Sequence, residues 1–290
     1  MSSISINDII SFLEALDLNK YVHAANYIAK LKNRTKLNRE QIKAIDTLLP
    51  VYFSYLAKNI GITGNTIQVI NQRTELLNTY YDFIANNNWD NLFPSTGKFR
   101  PTILEEFMFI LFNDIHTNLQ DSLGLLKIGS VKAYSNLYFV AANLETFISN
   151  PKIGINQKQQ DFAIYRSVKI HLDGQESFDI NIPVVAIENK TYLDKTMLDG
   201  AIATADKVKS GNPYSLFIVV TEAYDVSYEI DPAHSRIDQI YVLRKCRSNY
   251  INNCKIDASV VFDLFCLIDN HLKKNWSQIE NDIKTKGKVI

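Results

Sequence analysis

Cysteine is scarce: the 290-residue chain has three, Cys246, Cys254 and Cys266, and no CxxC spacing. An odd, unclustered set supports neither a disulfide framework nor a structural zinc site. The opening MSSISINDIISFLEALDL has no basic stretch ahead of an apolar one, and the longest apolar runs, such as FMFILF, are far too short to span a bilayer. Both absences point to a cytoplasmic protein without a membrane anchor. Excess charge of either sign is missing too, since 31 basic residues balance 31 acidic ones. A protein held on a polyanion by bulk charge is disfavoured, and any such contact has to come from local patches. The five histidines are scattered with no HExxH or H-N-H pattern, which disfavours a zinc hydrolase or a histidine-metal nuclease. No GxxxxGK[ST] stretch occurs either, which argues against a nucleotide-driven motor.

What the chain does have is the stretch from Asp161 to Lys190, DFAIYRSVKIHLDGQESFDINIPVVAIENK. Two arms rich in β-branched and aromatic residues flank Asp173-Gly174-Gln175, the pattern of an antiparallel hairpin. If the turn is centred between Gly174 and Gln175, facing residues sum to 349 and Asp161 meets Glu188. A turn on Asp173-Gly174 instead sets Asp161 diagonal to Glu188. Alternation of side chains puts Glu188 and Lys190 on one face and Asn189 on the other. Pro183 cannot donate to a ladder, so the second strand is expected to begin or bulge there and to shift the register by one. Two carboxylates on one face make a hard oxygen site of the kind Mg²⁺ accepts together with substrate phosphate. A lysine beside the ion suits an attacking water or the charge of a phosphoryl transition state. Asp161 and Glu188 are therefore the expected metal ligands, with Lys190 acting on the water.

An Asp, 26 intervening residues and then Glu-x-Lys at the end of an apolar strand resembles the PD-(D/E)XK nuclease superfamily. Together with VVAIENKTYLDKTMLDGAIATADKVK and the following YSLFIVVTE, it resembles type II restriction endonucleases, in particular the group cutting interrupted sites such as CCTNAGC. The resemblance covers roughly residues 99–245, with Gln160 where the superfamily often has proline. It implies a restriction-endonuclease-like α/β (α+β) fold, a mixed sheet flanked by helices, and Mg²⁺-dependent cleavage of double-stranded DNA as part of a restriction-modification system. It also implies a homodimer or a heterodimer with a related subunit. A repair nuclease of the same fold, or a non-catalytic DNA-binding or assembly subunit, are the competing expectations. An acidic residue often comes from the helix before the sheet, and here Glu105 or Glu106 of RPTILEEFMFILF is the candidate additional metal ligand.

The first ninety residues carry apolar positions at helical spacing and read as four or five helices, with Pro50 kinking or dividing one of them. The loop NNNWDNLFPSTGKF then suggests a boundary between a helical region, 1–92, used for DNA or subunit contacts, and a catalytic domain, 93–290. Lys30, Lys32, Arg34, Lys36, Arg39 and Lys43 form a basic cluster suited either to phosphate or to a solvated loop. NPKIGINQKQQ reads as a polar loop bringing Lys152 and Lys158 to DNA phosphates. A helix over 194–209 followed by a strand over 214–221 predicts a crossover that lays Leu216–Val220 parallel to Val184–Ile187, with Lys195 beside the site. Arg236, Arg244, Arg247 and Asn249 are the candidate DNA readers, because arginine and asparagine match guanine and adenine edges. An amphipathic helix over 257–276 closes the chain, and the tail TKGKVI is expected to be disordered.

Overall fold

Ser5 and Asn38 each close a capping box, accepting from the backbone of Asp8 and Gln41, and these caps start the first and third helices. The computed structural model describes residues 5–89, 92–93, 99–123, 125–171 and 177–288, with the side chains of 116–123 left out. The helical N-terminal region consists of α1 (Ile6–Glu14), α2 (Val22–Lys32), α3 (Arg39–Gly61) and α4 (Ile67–Asn86). Pro50 lies inside α3, which runs through it undivided. A long helix α5 (Pro101–Leu123) follows, then β1 (Leu126–Val140), the short α6 (Leu144–Ser149), β2 (Lys152–Ile170) and β3 (Phe178–Leu193). Helix α7 (Lys195–Gly211), capped by the Asp194 carboxylate, leads to β4 (Leu216–Tyr224), then β5 (Gln239–Val242), α8 (Ala258–Lys273) and α9 (Ile279–Lys286).

The five strands form one mixed sheet in sequence order. β1, β2 and β3 are antiparallel, while β4 runs parallel to β3 and β5 parallel to β4. Val185 pairs with Leu216 across the α7 crossover, as the strand-helix-strand pattern predicts. Alternation divides the sheet into two faces. Val185, Ile187, Phe162, Ile218 and Val220 point to a large core shared with α5, α8 and the N-terminal helices. Ala186, Phe217 and Val219 point to a smaller core under α7.

The helical region and the sheet are packed on one another. The Asn78 side chain of α4 exchanges two hydrogen bonds with the Ile256 backbone, each 2.9 Å. Phe112 of α5 stacks on Phe265 of α8 and tilts against Phe162 of β2.

Two expectations are corrected. Residues 152–160 are not a loop but the first half of β2, paired with β1 from Val140 back to Val131. Residues 152–159 are exposed or half-buried and mostly polar, so the alternation that normally reveals a strand is blurred. The tail is not disordered throughout either, because α9 reaches Lys286, held by Lys284–Glu280 and Lys286–Asp282 pairs one helical turn apart and ended by Gly287 at φ +65°. The Asp173-Gly174-Gln175 turn lies outside the described residues.

Candidate active site

β-Strand register is fixed by which face is buried, and it brings the acids of β2 and β3 together. Phe162 faces Ile187, Ala163 faces Ala186 and Ile164 faces Val185, each pair summing to 349. Asp161 and Glu188 are the residues next beyond this last pair, on the strand segments that Phe162 and Ile187 bring side by side. Beyond Ile164 the sum drops to 348, because Val184 is an extra residue bulged out beside Pro183, which faces Tyr165. A missing N–H is absorbed where the ladder is already broken, so the slip near Pro183 spares the register at the acids.

A second bulge sits at Asp161 itself. Between the Gly129–Ala163 and Val131–Gln160 pairs, Asp161 and Phe162 together face the lone Ser130 of β1. Gly129 has φ +131°, a conformation open to glycine and strained for other residues, which lets β1 turn around the bulge. Such bulges bend a strand and re-aim its side chains. Here an Asp161 Oδ2 accepts the backbone N–H of Asn189 at 2.8 Å, tying the β2 acid to the centre of Glu188-Asn189-Lys190.

Glu188 and Lys190 follow Ala186 on the α7 face. Lys190 Nζ lies 2.8 Å from Glu188 Oε1, and both side chains are about three-quarters or more buried. The other oxygen, Glu188 Oε2, is buried with no hydrogen-bond partner. A buried carboxylate oxygen left without a donor costs stability unless something else coordinates it. The two carboxylates and this orphaned oxygen fit a hard divalent cation. Among the described residues no group of three or more His, Cys, Asp or Glu side chains is arranged to hold a metal.

The additional acids of α5 do not join them. Glu106 is buried, and its carboxylate accepts the backbone N–H groups of His23 and Ala24 at 3.0 Å each and the Tyr52 hydroxyl at 2.8 Å. Tyr21 gives α2 no side-chain cap, so Glu106 caps that helix from across the core. Burial raises its pKa to about 7 despite those donors. Its expected role as a metal ligand is thereby corrected: the carboxylate is committed to α2. Glu105 is half-buried and enters no three-member cluster with Asp161 and Glu188.

The candidate DNA readers separate into two groups. Arg244 is a correction: it is buried, donates to Glu222 Oε2 at 2.8 Å, and binds the backbone carbonyls of Ile251 and Cys254. A guanidinium so committed has no edge left for a base. Lys195 is exposed but paired with Asp199 on its own helix, and Arg236 is exposed with Asp206 4.0 Å away. Lys152, Lys158 and Asn249 are exposed, and Arg247 lies 4.4 Å over the ring of Tyr228. In the basic N-terminal cluster, Arg34 is bidentate to Asp46 and Lys32 pairs with Glu14. Lys30 lies over Phe93 and Phe99.

Two features escaped sequence reasoning. Glu222, at the end of VVTE, is buried on the face opposite Glu188 and is bound by Arg100 at 3.0 Å, Arg244 at 2.8 Å and the Tyr81 hydroxyl at 3.0 Å. Burial pushes its pKa up, and the two guanidiniums more than offset this, holding it below the usual value. The signal was an acid closing an apolar strand, the same signal that marked Glu188. Next to it on that face, Asn189 has both side-chain polar atoms buried and unpartnered, as does Gln160 for its Oε1. A cleft of about 570 Å³ lies beside β5 on the α7 face, lined by Tyr224, Tyr228, Asp231, Ile237 and Lys245 among others. None of the three motif residues lines it.

A family model described as Bpu10I restriction endonuclease matches residues 97–255, over half of the chain and including all three motif residues. No curated protein matches. Among solved structures, one described as the native BbvCI A2B2 tetramer at low resolution is similar, with a TM-score of 0.70 at 22% identity. The match covers 88% of this chain and 97% of that one. At that identity the likeness speaks for the fold, including the N-terminal helices that the family match leaves out.

Proposed function

Because the chain belongs to the Bpu10I restriction endonuclease family, we propose that it cuts double-stranded DNA at a specific sequence, using Mg²⁺, as the nuclease of a restriction-modification system. The observation that carries this reading is Glu188, with one oxygen on Lys190 and the other buried without a donor, next to Asn189, whose backbone N–H is held by Asp161.

In this reading Asp161 and Glu188 hold Mg²⁺. The ion, when bound, lowers the pKa of water and offsets charge on the phosphate. The chain's own contributions follow from their placement. Glu188 Oε1 holds the Lys190 ammonium in one orientation, and an N–H of that ammonium orients the attacking water or meets the charge growing on a phosphoryl oxygen. The Asn189 amide holds Asp161 in place, so the β2 acid cannot swing away as substrate enters. The exposed Lys152 and Lys158 on β2, with Arg236 ahead of β5 and Arg247 and Asn249 after it, supply backbone and base contacts.

One such site opens one strand. The similar BbvCI structure is described as a tetramer of two kinds of subunit, and we propose that this chain likewise cuts as part of an assembly with a second nuclease site. Incubation with unmethylated plasmid and Mg²⁺, followed by mapping of the ends, tests the reading. Discrete fragments with one end sequence support it. A smear, or no cleavage under any divalent cation, contradicts it.

A further inference from the structure

Two buried side chains without hydrogen bonds sit together at the start of β4. Ser215, just ahead of that strand, is 2% exposed, and His271, in the last turn of α8, is 6% exposed. Ser215 Oγ and both ring nitrogens of His271 are buried with no partner. Burial and Lys274 hold the His271 pKa below its usual value, against Asp238 and the nearby backbone of Val184 and Tyr214, and neither backbone makes a hydrogen bond with the ring. The imidazole is therefore neutral and offers one N–H and one lone pair. Leaving such groups unpaired costs stability, which points to something that occupies the space in front of them.

Both residues line one cavity of about 180 Å³, together with Lys209, Asp238, Lys274, Tyr214 and Trp276. Donors there outnumber acceptors. Asp238 is already engaged, one oxygen by Lys209 Nζ at 2.6 Å and the other by the Phe217 backbone N–H at 2.7 Å. The Ser215 hydroxyl, one His271 N–H, the remaining N–H groups of Lys209 and the Lys274 ammonium are left over. Two ammoniums against one carboxylate leave a surplus of one positive charge. Basic residues are favoured at helix C-termini, which accounts for the two lysines but not for the buried hydroxyl and imidazole. A guest that accepts from several donors and carries negative charge completes the set. The cavity has room for on the order of six waters, enough for a tetrahedral oxyanion and short of the ~300 Å³ at which pockets for larger ligands begin.

We infer that this cavity binds a free phosphate-type oxyanion, inorganic phosphate or the bare end of a small phosphomonoester, at a site separate from the candidate catalytic acids. Leu216 at its edge pairs with Val185, three residues or about 10 Å before Glu188 along β3, so both parallel strands run from the cavity toward the acids. A phosphodiester carries a sugar on two of its oxygens and has no bare end to reach Ser215 and His271 at their depth. A free phosphate does. Trp276, one of two tryptophans in the chain, marks the site. Its ring stacks on His271 at 5.5 Å and on Tyr214 at 6.2 Å, and its indole N–H donates to the His271 carbonyl at 2.9 Å.

Isothermal titration calorimetry of inorganic phosphate into the full chain, in Tris buffer with EDTA so that the acids hold no cation, tests this. Saturable binding at millimolar affinity or tighter is expected, with a melting temperature that rises as phosphate is added and does not rise with chloride at equal ionic strength. Ser215→Ala and Lys274→Glu should each fold normally and weaken binding at least about tenfold, whereas Lys284→Glu, at an exposed position of α9, should not. Tryptophan emission should shift with the same midpoint, and Trp276→Phe should remove that shift. Absence of saturable binding overturns the inference. So does affinity unchanged in both Ser215→Ala and Lys274→Glu, or displacement of phosphate by a short DNA duplex, which would make the cavity a contact for the backbone. No cleavage or metal enters the measurement, so its outcome is independent of the nuclease reading.

Discussion

Two glutamates end the apolar runs of two neighbouring strands of the same sheet, and they have opposite surroundings. Glu222 of β4 faces the large core with every oxygen engaged by Arg100, Arg244 and Tyr81. Glu188 of β3 faces the α7 side, with one oxygen on Lys190 and one buried with no partner. The chain thus contains a saturated carboxylate, bound from α4, from Arg100 ahead of α5 and from Arg244 after β5, and an unsaturated one with a buried oxygen left without a donor. Position at the end of an apolar run does not distinguish them; the inventory of donors does.

Substitutions should separate the two by what they damage. Lys190→Ala or Glu188→Ala is expected to cut the cleavage rate by at least about a thousandfold while DNA binding and melting stay near wild type; retained Mg²⁺-dependent cutting in either variant would break the comparison. Glu222→Ala should do the reverse, leaving two guanidiniums buried without a counter-charge at a cost of roughly 3–5 kcal/mol, read from denaturant unfolding. A Glu222→Ala protein as stable as wild type would mean that its ion pairs hold nothing together.

Glu106 sharpens the contrast through pH. Its carboxyl is raised by burial from 4.5 to about 7, so its contribution to stability is full below pH 4.5 and is lost as pH rises through 7. His23, which meets Thr102 and Tyr80 beside it, is pushed from 6.5 down to about 3 by burial and by Lys30. Its contribution is present above 6.5 and is lost as pH falls toward 3. Between pH 4.5 and 6.5 the two slopes oppose one another. Glu106→Gln removes one of them, and its stability should therefore fall more steeply than wild type on acidification across that window. Parallel pH profiles for the two proteins would show that the buried acid does not titrate there. The smallest effect is expected at Asn189, where both polar atoms are buried and unpartnered: Asn189→Leu should match or exceed wild-type stability by up to about 1 kcal/mol, and a clear loss would reveal a partner for the amide.

The register beside the candidate acids was more legible than the contacts that support it. A β-strand period of two and the sum of 349 anticipate the pairing of Phe162 with Ile187 and of Ile164 with Val185, and Pro183 announced the bulge beside it. The crossover through α7 was equally readable, because helix and strand periods change sharply at Asn212 and Leu216. What failed was whatever depends on a partner far along the chain. Arg244 looked like one of a surface group, yet its carboxylate partner is in β4 and shares it with Arg100, 122 residues from Glu222. Glu106 looked like a candidate metal ligand, but it caps α2 instead. The 152–160 stretch looked like a loop because its side chains are mostly polar and all but Gln160 are exposed or half-buried.

The account depends most on Asp161 and Glu188 sharing a divalent cation. Titrating Mn²⁺ into the intact protein and following the free ion by electron paramagnetic resonance measures this without DNA or turnover. The prediction is binding to wild type that is lost or strongly weakened in both Asp161→Asn and Glu188→Gln; binding that persists unchanged in both variants would contradict it.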